Sequence, residues 1–259
     1  VDVKGCNEGI VTCSARQYRI INTGNKNLKP EYSTSYTFGV VMSPLPTLTI
    51  QVGFWHTDFT NLISTNTLQR ELNAEAAGQP NDCVRKANGT LDYCTIERNN
   101  FEGVEAEGID FDVSYIIETD NMGRFDIGLN AAKYTKYISQ RFSDSPKIEY
   151  QGELGLPDLR MNPHLYWGKG DWSAALTGYY MSAQEQEIAG TKYNIGSHFE
   201  MGLQVGYQLP WNASLTVGAV NLSNEDPEIN GDVYGFEPWD FSLYDSRGRV
   251  VYFRYDQSL

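Results

Sequence analysis

Cys6 and Cys13, and Cys83 and Cys94, form two close pairs in polar stretches rich in Gly and Asn. Local disulfides are the simplest chemistry for that spacing, and they place the chain in an oxidising compartment. Zinc is the rival, but neither pair has CxxC spacing and no histidine accompanies it. The three histidines, His56, His164 and His198, are scattered, and there is no HExxH, GxSxG, P-loop or GxGxxG motif to hold a metal, a nucleophile or a cofactor. Asp226, Glu228, Asn230 and Glu237, with Gly231, approximate a calcium loop with oxygen ligands at roughly positions 1, 3, 5 and 12 and Gly at 6. Glu at the third position and the absence of flanking helical pattern weaken that reading, so no metal site is assigned.

Composition narrows the classes further. The formal net charge of −13 and the lack of any basic run exclude a nucleic-acid partner, which needs clustered Lys and Arg. Hydrophobic residues make up 41% and aromatics 13%, including 17 Tyr. That combination suits a protein with an aromatic-girdled face toward lipid and a wet face inside, although a soluble sandwich could share it. No stretch approaches the roughly 20 apolar residues of a spanning helix, so entry into a membrane would be by strands. Val1-Asp2-Val3-Lys4-Gly5 lacks the basic start and apolar core of a signal peptide, as expected of a mature protein or an excised piece.

The elements that must position these residues are read from period-two alternation. Apolar residues occupy alternate positions at Tyr36–Met42, Leu48–Phe54, Ile109–Ile117, Phe125–Ala131, Met161–Trp167, Trp172–Tyr180, Phe199–Tyr207, Leu215–Ala219 and Val251–Tyr255. That is nine strands, each with one apolar and one polar or small face. Short turns at 43–46, 120–123, 168–171 and 209–212 alternate with long polar connections at 58–100, 138–156, 182–197 and 222–246. Long connections gathered at one end are the habit of outer-membrane barrels, with short periplasmic turns and long extracellular loops, and a sandwich has no reason for it. The fold class is therefore all-β, an antiparallel transmembrane β-barrel. Nine strands cannot close a single-chain bacterial barrel, which needs an even number, and an open edge is untenable in lipid. Further strands are expected from upstream sequence or another chain.

Four stretches in order carry a resemblance. Gly24–Glu31 followed by Tyr36–Val40, Gly108–Tyr115, Val217–Pro227, and Tyr244–Arg249 running on to Tyr255 resemble the "GNPNLKPE…YTLGV", "GIDFDLSY", "VGVKNLFDEDPP" and "YDPRGRYYYLRLSY" signatures of TonB-dependent receptor barrels. Lys26 stands where that family usually has Pro, and the chain ends at Leu259 where the family usually ends in an aromatic. The resemblance implies that residues 1–259 are the last nine strands of a 22-stranded barrel. The plug domain, its TonB box and the earlier strands lie outside this sequence. It further implies a bacterial outer-membrane location and contact with lipid, the plug and the remaining strands, and through the plug with TonB. The implied work is uptake of a scarce small nutrient such as a siderophore, vitamin, sugar or peptide.

On this reading the interior-facing residues are candidate ligand contacts: Asp112, Asp126, Asn130, Arg160, Asn162, His164, Tyr166 and Tyr179. Tyr36, Trp55, Trp167, Trp172, Tyr207 and Tyr255 read as interface girdle, with Trp55 inward by parity. The alternative is a non-transporting barrel, either an adhesin or docking surface or a barrel-embedded hydrolase using Asp110, Asp112 and His164. It would need a self-sufficient even-stranded barrel or a catalytic cluster at the rim, and the sequence offers neither.

Overall fold

Each alternating segment is a strand in the computed structural model, which describes residues 1–14, 16–142, 145–188, 190–234 and 238–258. In chain order the elements are α1 (Val3–Asn7), β1 (Arg19–Thr23), β2 (Tyr32–Leu45), β3 (Leu48–Thr65), α2 (Leu68–Ala76), β4 (Cys83–Arg85), β5 (Leu91–Thr119), β6 (Gly123–Gln140), β7 (Ile148–Glu149), β8 (Leu159–Lys169), β9 (Trp172–Met181), β10 (Gln184–Ile188), β11 (Thr191–Ile195), β12 (His198–Leu209), β13 (Ala213–Val220), α3 (Gly231–Tyr234) and β14 (Val250–Gln257). The nine alternating segments pair in the order β14-β13-β12-β9-β8-β6-β5-β3-β2, each beside its neighbour among the nine. Because β2 and β14 each have one neighbour on this path, the sheet is open among the described residues. Tight turns join the strands at one end, with the left-handed backbone of Gly123 (φ 88) and Asn212 (φ 57) closing two of them. No helix among the described residues is long and apolar enough to cross a membrane.

The chain divides into two compact units. The larger comprises residues 35–57, 105–139 and 148–259. Its register carries the alternation from strand to strand: Phe125 lies opposite Trp167, Ile127 opposite Leu165, Leu165 opposite Leu176, Leu176 opposite Leu203, Val205 opposite Val217, and Val217 opposite Phe253. Period two puts all of these on one face. That face is exposed, with Ile127, Leu176, Leu203, Val205, Val217 and Phe253 each well open to the surroundings. So broad an apolar face is not one a water-soluble monomer leaves uncovered.

The smaller unit comprises residues 1–34, 58–104 and 140–147. The span 58–100, expected as a long loop, is therefore largely ordered: β3 and β5 extend well past their apolar stretches, and α2 and β4 lie between them. Thr67 caps α2 by accepting from the Arg70 amide, and Leu72 is buried with Leu91 and Cys94 in a small core that Tyr18, Leu68 and Cys83 flank. Asp2 caps α1 through the Gly5 amide and also meets Arg85 on β4. Both cysteine pairs are bonded, Cys6 to Cys13 and Cys83 to Cys94, with Cα separations of 5.1 and 4.0 Å. Cys83 and Cys94 face each other across the β4–β5 pair, so the bridge closes a link the strands already make.

Reducing the Cys83–Cys94 bridge is expected to loosen this unit by about 3 kcal/mol, the loop-closure contribution of a short loop. The strands of the larger unit are expected to stay folded. Proteolysis of the full-length protein with and without reductant checks this: new cuts should fall within 66–94, and loss of heat-resistant β-structure would contradict it.

Candidate functional site

The face opposite the apolar one is polar, and it gathers most of the candidate contacts. Asn130 donates its side-chain amide to Asp112, and Ser114 donates to Asp126 at 3.4 Å, so these four groups share a face across β5 and β6. The β6–β8 register sets Asp126 opposite Tyr166, Asn130 opposite Asn162, and Ala132 opposite Arg160. Tyr179 lies opposite Glu200 on β12, and Arg160 opposite the fully buried Met181. Asp112, Asp126, Asn130, Arg160, Asn162, His164, Tyr166 and Tyr179 are thus brought to one side of the sheet, spread over four strands rather than drawn into one cluster.

Glycines on this face let rings lie flat across it. Gly128 sits opposite His164, and a Cβ there would lie 2.3 Å from the imidazole. The same fit recurs where Gly108 underlies Trp55 and Gly218 underlies Tyr252. Trp55 accordingly lies on the polar side, edge-on to Tyr134, as its parity requires. The His164 ring is 4.8 Å from that of Tyr166, and the Tyr252 hydroxyl donates to Gln204 at 2.8 Å. Replacing Gly128 with Val is expected to force His164 off the sheet and cost about 1–3 kcal/mol, an overpacking penalty read as a lower melting temperature of the full-length protein.

Clefts accompany the polar face and the smaller unit. In the larger unit a cleft of about 540 Å³ is lined by Tyr166, Ala175, Gln204, Thr216 and Arg254 among others. The smaller unit has one of about 320 Å³ formed by Asn66, Arg70, Asn99, Asn100, Phe101, Glu102 and Phe142. There the Arg70 guanidinium stands 4.0 Å over the Phe142 ring, and Phe101 meets that ring edge-on.

The connections of the larger unit are tied by a knot that sequence reasoning missed. His198, 4% exposed, pairs with Glu200 at 2.8 Å and meets the Tyr244 ring edge-on. Gln184 donates to the Tyr244 hydroxyl and accepts from the Gly155 amide. Burial pushes the Tyr244 hydroxyl up from its ordinary pKa, with the charges of Glu228 and Asp240 adding to it. Within the weak calcium loop, Glu228 accepts from the Gly196 amide, Asn230 accepts from Asp232, and Glu237 lies outside the described residues. The knot joins residues up to 60 apart in sequence, and no local pattern announces it.

Comparison with known proteins gives a family match. The model of the family described as "TonB dependent receptor-like, beta-barrel" matches residues 9–222. A search of curated proteins finds no match. Among solved structures, the chain is similar to a mutant of the ferric enterobactin receptor of Pseudomonas aeruginosa, with 17% identity and a TM-score of 0.60 over 90% of this chain and 32% of that one. It is similar also to the siderophore receptor PirA of Acinetobacter baumannii, with 15% identity and a TM-score of 0.63 over 90% and 32%. A third is the copper transporter OprC, with 19% identity and a TM-score of 0.55 over 90% and 33%. The chain spans about a third of the length of these structures, and at such identities they speak to the fold. They are receptors and transporters, not enzymes, so the barrel-hydrolase alternative draws no support from them.

Proposed function

The chain belongs to the TonB-dependent receptor β-barrel family, and from that premise we propose that it forms the wall and loops of an outer-membrane receptor importing a scarce small nutrient, energised through TonB. The observation that carries the reading is the two-faced sheet: an exposed apolar face continuous across strands, backed by a polar one. In lipid, the first face meets acyl chains and the second borders water. Further strands and a plug, from sequence outside residues 1–259, would close the barrel and satisfy the free edges of β2 and β14.

On this reading the polar face is the inner wall. Asp112, Asp126, Asn130, Asn162, His164 and Tyr166 would hydrate it, bond the plug, and touch cargo in passing. The cleft at Gln204 and Arg254 lies beside the short turns and suits plug contact. The cleft at Arg70 and Phe142 lies among the long connections and suits capture of cargo from outside. The mix of amide, guanidinium and aromatic groups there fits a planar polar ligand.

The test is growth of cells lacking their own uptake receptors and carrying the full-length protein, supplied with ferric catecholates, ferric hydroxamates, copper or cobalamin as limiting nutrient. Rescue by one nutrient, abolished when TonB is deleted, is expected. Rescue that persists without TonB would contradict the reading.

A further inference from the structure

His56, Glu105 and Glu107 converge on the other side of the sheet from the candidate contacts. The side is fixed by neighbours: Tyr36 lies 6.4 Å from Phe54 and stacks on His56 at 4.5 Å, while Trp55 and Gly108 meet on the polar face. His56 therefore continues the apolar row of Phe54, and Glu107 that of Ile109. The metal-ligating atoms of the three residues all lie within 4.8 Å of one another. His56 Nδ1 is 3.1 Å from Glu107 Oε1, and their side chains are 12% and 26% exposed.

Lys136 supplies a cation, with Nζ 2.7 Å from Glu105 Oε1 and 3.7 Å from Glu107 Oε1. A salt-bridge network accounts for the lysine and the carboxylates. His56 joins that network through Glu107, and the stacked Tyr36 ring holds a nitrogen of its imidazole within 4.8 Å of a carboxylate oxygen of each acid.

We infer that His56, Glu105 and Glu107 form a binding site for one divalent transition-metal ion, with zinc the best fit. One imidazole and two carboxylates are a ligand set for zinc and its neighbours, and three protein ligands leave a coordination position open. Ligands on a tetrahedral zinc stand about 3.3–3.6 Å apart at bond lengths of about 2.0–2.2 Å, so the His56–Glu107 edge at 3.1 Å is nearly formed, and Glu105 lies within 4.8 Å of both. Lys136 now holds the cation's place between the carboxylates. Its flexible stem lets the ammonium swing away, still protonated, as the metal enters. The two carboxylates give the site negative charge that a divalent ion neutralises. The stacked Tyr36 ring keeps the imidazole plane fixed for the incoming ion.

The experiment uses the full-length protein in detergent, stripped with chelator and titrated with Zn²⁺ against a chromophoric competitor. One zinc retained per chain is expected, with His56→Ala and the isosteric Glu107→Gln each weakening that site by tenfold or more, on the order of the effect of losing a shell partner or greater. Heat-modifiable mobility of each variant certifies the barrel, and Glu107→Gln keeps the packing should His56→Ala fail to fold. Absence of zinc binding by the unsubstituted protein would overturn the inference. Equal affinity in the unsubstituted protein and either folded variant would overturn it as well.

Discussion

Replacing Arg85 with Met is expected to free α1 and β4 and to cost the smaller unit about 3–5 kcal/mol, as when one partner of a buried ion pair is removed. Arg85 forks onto two carboxylates at once. Its Nη2 reaches Asp2 Oδ1 at 2.7 Å and its Nε reaches Glu75 Oε1 at 2.7 Å. The Asp2 side chain is wholly buried and that of Glu75 is 8% exposed, so neither acid finds water when the guanidinium goes. Lys4 also pairs with Glu75, at 3.8 Å, so the loss falls most heavily on Asp2. The guanidinium also sets the pH response. Its hydrogen bonds hold the Asp2 carboxyl below its ordinary 3.8, against the opposing effect of burial. A carboxyl lowered by folding stabilises fully above the ordinary value, and its contribution is lost as the pH falls through the folded one. Amide hydrogen exchange of the full-length protein is expected to show α1, α2 and β4 opening in Arg85→Met at neutral pH, and below about pH 4 in the unsubstituted protein, while β8, β9 and β12 keep their protection. Unchanged protection in Arg85→Met would contradict this account of the unit.

The second large effect separates the two faces of one strand. Leu176 and Thr177 are consecutive on β9, with Leu176 opposite Leu165 and Leu203 and Thr177 opposite His164 and Gly202. Leu176→Arg places a charge in the middle of the apolar face and is expected to destabilise the membrane-embedded protein by about 2–4 kcal/mol. Thr177→Arg places the same charge one residue away on the wet face and is expected to stay within about 0.5 kcal/mol. Denaturant unfolding of the full-length variants in bilayers reads both. Equal losses, or a greater loss at Thr177, would mean that the apolar face does not meet lipid.

The strands that such a test probes were the most legible part of the sequence. An apolar face on one side and a polar face on the other impose a period of two on the strand, so Phe199, Met201, Leu203, Val205 and Tyr207 announce β12 by themselves. The parity of Trp55 was legible for the same reason. Legibility ended where the apolar face does. Residues 91–108 of β5 are strand without a continuous apolar row: Leu91 and Cys94 turn into the small core, and Glu97-Arg98-Asn99-Asn100 reads as loop. Helix α2 left a fainter mark, the Thr67 cap with Leu68 and Leu72 one turn apart, inside a polar span. The side-chain constellations left none. Arg85 meets Asp2 across 83 residues and His56 meets Glu107 across 51, joined only by strand pairing and docking that a single sequence does not spell out. For the polar face the sequence supplied the side, by parity. The neighbours across it, such as Asn130 beside Asp112, required the register.

The most direct test of the central claim is the electrophoretic mobility of the intact protein purified from outer membranes, with and without boiling. A heat-modifiable species well above 29.2 kDa is expected, since the similar structures are about three times as long as this chain. A species of 29.2 kDa that stays in solution without detergent and migrates alike before and after boiling would contradict the barrel and the receptor together.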